Sequence, residues 1–118
     1  DTHRMRDMTQ AWLQSRAAIW FDVRIKHFLA STGLTIRRWR LSSAATRWGS
    51  CTSDGNIMLN WRLIHFSPMV IDYVIAHELA HLREMNHSAR FWARVEEVCP
   101  GWREAERWIR RNGSLVGL

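Results

Sequence analysis

The clearest chemistry in the chain sits in five residues, His77-Glu78-Leu79-Ala80-His81. Two histidines four apart on a helix lie about 40° apart around the axis and one turn apart along it, so both imidazoles address one point. A zinc ion at that point would sit about 2.0–2.1 Å from each ring nitrogen. Glu78 follows the first histidine and is placed to reach a water instead of the metal, the arrangement of a metal-assisted hydrolase with Glu78 as general base. Two histidines and a glutamate facing a core without partners would be costly, which weighs against a purely structural role.

A catalytic zinc site needs a third protein ligand and keeps one position open. His87 follows His77 by ten residues, the offset of the third histidine in the metzincin pattern. On an unbroken helix it would lie about 9 Å beyond His81 and point elsewhere. The chain is therefore expected to turn back between Leu82 and His87. Glu84 stands where metzincins have glycine, so Asn86 is expected to make the turn in a left-handed or otherwise non-helical conformation. Glu96 and Glu97, Glu84 and His65 are the competing third ligands. His3 and His27 carry no spacing signal and read as surface residues.

The elements that must position these residues follow from periodicity. From Met5 to about Ala30, Met5, Met8, Trp12, Ile19, Val23 and Phe28 read as the apolar side of a helix that Gly33 closes. Residues 34–41 read as β, and Thr46–Cys51 and Asn56–Ile64 as two strands of a hairpin around Ser53-Asp54-Gly55-Asn56. Ser67-Pro68 starts a helix that carries His77 and His81 to about Glu84 or Met85. Ser88 caps another, ended by Pro100-Gly101, and a last helix runs from about Trp102 to Arg111, stopped by Asn112-Gly113. The expected architecture is α+β: an N-terminal helix, a small antiparallel sheet, the helix with the histidines and two further helices. One domain over residues 1–118 is expected, with its zinc-binding core in 67–99.

Arg47-Trp48-Gly49-Ser50-Cys51, Asn56, Leu59-Asn60-Trp61-Arg62-Leu63-Ile64, and the run from Val70 through the two histidines to Asn86-His87-Ser88 and Phe91-Trp92 carry a resemblance. Over roughly residues 34–112 the chain resembles the YgjP-like zinc metallopeptidases, a group related to SprT-like and other zincin-type metalloproteins. The resemblance implies zinc held by His77, His81 and His87, with Glu78 catalytic. It also implies a zincin-like or minigluzincin-like fold with the active-site helix beneath a small sheet. Family members carry a further β-rich segment upstream, and this chain is expected to begin after it.

Composition bounds the rest. Sixteen of the 17 basic residues are arginine, and with 11 acids the formal charge is +6. A basic chain favours polyanions, and Arg37-Arg38-Trp39-Arg40 with Arg47 and Trp48 interleaves charge and aromatics as nucleic-acid surfaces do. Strand alternation, with Trp inward and Arg solvated, explains the same residues. Arg103, Arg107, Arg110 and Arg111 read as a solvated face. Two cysteines, Cys51 and Cys99, are too few for a disulfide framework and read as buried thiols in a reducing, cytoplasmic setting. No stretch is apolar enough to span a membrane. Tyr73, one turn before His77, reads as core packing or a hydrogen-bond donor to the site. The Asn56–Asn60 strand is expected to offer an edge to an extended substrate.

Three functions fit these residues. A zinc peptidase acting on peptides or unfolded protein comes first. A zinc hydrolase of an anionic substrate such as a nucleotide is second, and a metal-stabilised nucleic-acid-binding module is third. Glu78 argues against the third, because a structural metal site has no use for a base beside its ligand.

Overall fold

Asp1 caps α1 (Thr2–Thr32), its carboxylate accepting from the His3 N–H at 3.0 Å, in the computed structural model, which describes residues 1–113. The helix ends at Gly33. Its core side is Ala17, Phe21, Ile25 and Phe28, spaced four, four and three. This corrects the face expected from sequence: Met5, Met8, Trp12, Ile19 and Val23 are 50–68% exposed, and of that set only Phe28 is buried. The helix carries apolar residues on two sides, and periodicity cannot say which side the rest of the chain covers. A two-pronged ion pair, Arg24 to both oxygens of Asp72 at 2.9 Å, ties it to the helix that bears the histidines.

Three strands follow: β1 (Arg38–Ser42), β2 (Gly49–Cys51) and β3 (Asn56–Asn60). β2 and β3 form the expected antiparallel hairpin, its turn closed by a Gly55 N–H to Thr52 carbonyl bond with Gly55 at φ 90°, where a side chain would be strained. β1, however, runs parallel to β3, so the sheet is mixed and ordered β1-β3-β2. The reason is a crossover: residues 43–48 pass over the end of β3 before the chain turns down into β2. Asn60, fully buried at that end, holds the crossover by donating its amide to the Ala44 and Arg47 carbonyls at 2.9 and 3.0 Å. Its oxygen accepts from the Arg62 N–H and caps a short 3₁₀ helix (Trp61–His65) that replaces the second half of the expected strand.

Ser67 and Pro68 start α2 (Pro68–Ala80), with the Ser67 hydroxyl accepting from the Val70 N–H. Residues 73–80 of α2 are buried without exception, under the sheet on one side and against α3 (Ala89–Val98) and α4 (Trp102–Asn112) on the other. In β1, Trp39 turns inward and donates to Asp22 at 3.0 Å while Arg38 and Arg40 face out, as strand alternation requires. Among the described residues, no helix is long and apolar enough to cross a membrane.

Asn60→Ala should cost about 2–3 kcal/mol, because it strands two carbonyls and one N–H together. Urea unfolding of both proteins at equal metal content measures it.

Candidate metal centre

α2 does not reach Glu84 as a helix. Its end tightens: the N–H groups of His81, Leu82 and Arg83 bond three residues back, to the carbonyls of Glu78, Leu79 and Ala80. Bends at Met85 and Asn86 then reverse the chain, and the Ser88 N–H bonds the Asn86 carbonyl at 2.8 Å, closing a tight turn around His87. Asn86 is non-helical as expected, but not left-handed, since no described residue other than glycine has positive φ. Ser88 caps α3, its hydroxyl accepting from the Phe91 N–H.

This path brings three imidazoles together. One nitrogen from each of His77, His81 and His87 lies within 4.8 Å of the other two. The Nε2 atoms of His81 and His87 are 3.2 Å apart. Two nitrogens bound to one tetrahedral zinc at about 2.0–2.1 Å would be roughly 3.3–3.4 Å apart, so the spacing suits a shared ion. The Nε2 of His77 is buried and has no hydrogen-bond partner among the described residues. A buried nitrogen left unpaired is costly unless a cation takes its lone pair.

The other ring nitrogens are held. The Nδ1 of His77 lies 3.2 Å from the Tyr73 hydroxyl, and that of His81 3.0 Å from the Glu84 carbonyl. A carbonyl only accepts, so His81 carries its proton on Nδ1 and directs a bare Nε2 at the cluster. Burial, then the nearby His81 and His87, pushes His77 down to about 3. Burial likewise lowers His81. Both are therefore neutral, the form that binds metal.

Glu78 is 2% exposed, and burial pushes its carboxyl up to about 8, against the opposing pull of Arg47. It fits because Gly49 of β2 has no side chain: a Cβ there would meet the Glu78 Oε2 at 2.9 Å. Glu78, His81 and His87 open onto a cleft of about 290 Å³, whose other wall is Arg47 and β2. A second recess of about 200 Å³ is also lined by His77, with Trp48, Tyr73, Trp92, Ile109 and the ion-paired Glu106 and Arg110.

The competing ligands are elsewhere. Glu96 and Glu97 pair with Arg103 and Arg94, and Glu84 contributes its carbonyl to His81. His65 lies edge-on to Trp61, and His3 and His27 are exposed. Cys51 and Cys99 are half-buried free thiols. Cys51 lines the cleft, and burial with the charges of Glu78 and Asp54 pushes it up to about 12, so it is no nucleophile.

A family model for the YgjP-like metallopeptidase domain matches residues 1–112. The chain belongs to the YgjP-like metallopeptidases. The match extends beyond residues 34–112 to include α1. No curated protein is similar enough in sequence to match. Two crystal structures of metallopeptidase zymogens share the fold. Abylysin of Pyrococcus abyssi is 23% identical, with a TM-score of 0.70 over 82% of this chain and 99% of its own. Jannalysin of Methanocaldococcus jannaschii is 20% identical, with a TM-score of 0.62 over 77% and 94%. The YgjP-like assignment leaves nucleic-acid binding without support, and strand alternation accounts for the Arg–Trp stretch. Gly49, Arg47 and the Glu84 carbonyl were not legible as site features. The Arg47-Trp48-Gly49 motif was the available signal, but it carries no spacing that names a role.

His77→Ala, His81→Ala or His87→Ala should each weaken zinc binding by at least about 100-fold, beyond the usual effect of losing an outer hydrogen bond. Glu96→Ala and Glu97→Ala should leave it unchanged, as read by competition with a chromophoric chelator. The metal-free protein should also have a characteristic pH profile. His77 ordinarily titrates at 6.5 and here near 3, so stability falls as pH drops through that window. Glu78 ordinarily titrates at 4.5 and here near 8, so stability falls as pH rises through its window. The two windows overlap and oppose between pH 4.5 and 6.5, so melting temperature after chelation should be highest there and fall on either side, and Glu78→Gln should remove only the alkaline fall.

Proposed function

We propose that this YgjP-like protein is a zinc-dependent peptidase in which His77, His81 and His87 hold the metal and Glu78 is the general base. The observation that carries this reading is the meeting of three imidazoles beside the buried carboxyl group of Glu78, which follows the first of them on α2. Bound zinc would supply Lewis-acid polarisation and make water a competent nucleophile near neutral pH.

The chain's own residues do the rest. Glu78 takes a proton from the attacking water and gives it to the departing amine. Gly49 keeps its carboxylate at the cleft by leaving the space that any side chain would fill. Tyr73 and the Glu84 carbonyl fix the ring orientations of His77 and His81. An extended peptide can lie along the cleft as an added strand. The edge available there is β2, not the Asn56–Asn60 strand expected from sequence: β3 is central and paired on both sides. The recess behind His77, aromatic on one side and bordered by the Glu106–Arg110 ion pair, suits a side chain flanking the scissile bond.

Glu78→Gln keeps the shape and removes the base. It should retain zinc and lose about 10²–10⁴-fold in hydrolysis of an unfolded protein substrate. Activity within threefold of wild type would assign catalysis elsewhere. The same panel should include nucleoside triphosphates, whose preferential hydrolysis would overturn the peptidase reading.

A further inference from the structure

We propose that the Arg47 guanidinium binds the scissile carbonyl oxygen of the substrate as negative charge grows on it, an inference that rests on the peptidase reading. Water attack on a peptide carbonyl moves the C=O π pair onto oxygen while a C–O bond forms. When the tetrahedral species collapses, that pair returns, the C–N bond breaks, and the amine leaves with the proton held by Glu78. A donor aimed at the oxygen during this interval is worth more than one aimed at the resting carbonyl.

Arg47 is the permanent cation of the cleft, which it shares with Glu78, His81 and His87. Two further donors nearby are engaged, and the Ser50 hydroxyl, which also lines the cleft, carries no charge. The Tyr73 hydroxyl faces His77 Nδ1, and the Cys51 thiol donates to the Thr52 carbonyl. Among the described residues Arg47 has no salt bridge, a state it shares with most arginines here, but among the residues lining this cleft it is the one arginine. It lies beyond 4 Å from Glu78 yet close enough for its charge to oppose the effect of burial on that carboxyl. A direct pair would tie up both groups. This separation leaves the base free and the guanidinium open.

The backbone that presents it is fixed on both sides. Its carbonyl accepts from the buried Asn60 amide, and the next residue, Trp48, is buried edge-on against Phe66 at 4.9 Å between ring centres. Gly49 then abuts Glu78. The side chain itself is exposed, a cation on a fixed stem. A planar fork that keeps its charge at any working pH suits an oxygen that changes from neutral to anionic.

The test compares zinc-loaded wild type, Arg47→Ala and Arg47→Lys on one peptide. Arg47→Ala should retain zinc, keep KM within about threefold and lose about 10²–10³-fold in kcat. Arg47→Lys should recover part of the loss, and free guanidinium at millimolar concentration should rescue Arg47→Ala but not wild type. Calorimetry supplies a readout independent of turnover. A phosphinic peptide, tetrahedral and anionic, should bind Arg47→Ala at least about tenfold more weakly, while an uncharged amide of the same sequence binds both equally. A rise in KM alone, equal losses for both ligands, or equal phosphinic affinities would overturn the assignment. If wild type cleaves no peptide, the peptidase reading fails; the phosphinic comparison still decides whether Arg47 recognises a tetrahedral anion.

Discussion

The structure turns on one constraint, the burial of an imidazole and a carboxyl group side by side in the covered second half of α2. From Tyr73 to Ala80 every residue of α2 is covered, so His77 and Glu78 cannot swing out to water. Each must be satisfied where it stands. Tyr73 serves one nitrogen of His77, and the missing side chain of Gly49 gives Glu78 its volume. What remains unsatisfied is the His77 Nε2, and it points where His81 and His87 converge. The apolar sheath around α2 thus does two jobs. It rigidifies the helix, and it makes an empty cluster expensive.

The sheet serves that arrangement through Asn60. A plain three-strand meander would put β2 in the middle, with both its sides consumed by pairing. Passing residues 43–48 over the end of β3 instead moves β2 to the edge, directly beside Glu78. Such a crossover leaves carbonyls without strand partners, and a buried asparagine is an economical remedy because its amide donates to two of them. The same residue caps the next turn, so the loop and the start of the 3₁₀ helix stand or fall together.

The histidine-bearing helix was legible because its signals are local: a Ser-Pro start and a pair of histidines at helical spacing. So was the hairpin, expected around Ser53–Asn56 and closed one residue earlier, at Thr52–Gly55, though its first strand begins at Gly49 and not at Thr46. The sheet's parallel pair was not, since nothing in residues 34–42 encodes which neighbour β1 will find. On α1 the apolar residues are real, but five of those read as core face outward, because choosing between two stripes requires the tertiary partner. Glycine at 49 looks like strand irregularity in sequence. Only the distance from its backbone to the Glu78 carboxylate reveals why a side chain is excluded.

An α-helix can aim two side chains at one point, but a third residue on the same helix is carried away along the axis. The chain resolves this by tightening its last turn and reversing within six residues. The restraint on each imidazole falls along that path. His77 is buried and bonded to a side-chain hydroxyl, His81 is half-buried and bonded to a backbone carbonyl, and His87 is exposed in a tight turn. Burial and hydrogen bonding therefore decline from the core side of the cluster to its solvent side. The cleft of Arg47 and β2 opens on that same solvent-facing flank.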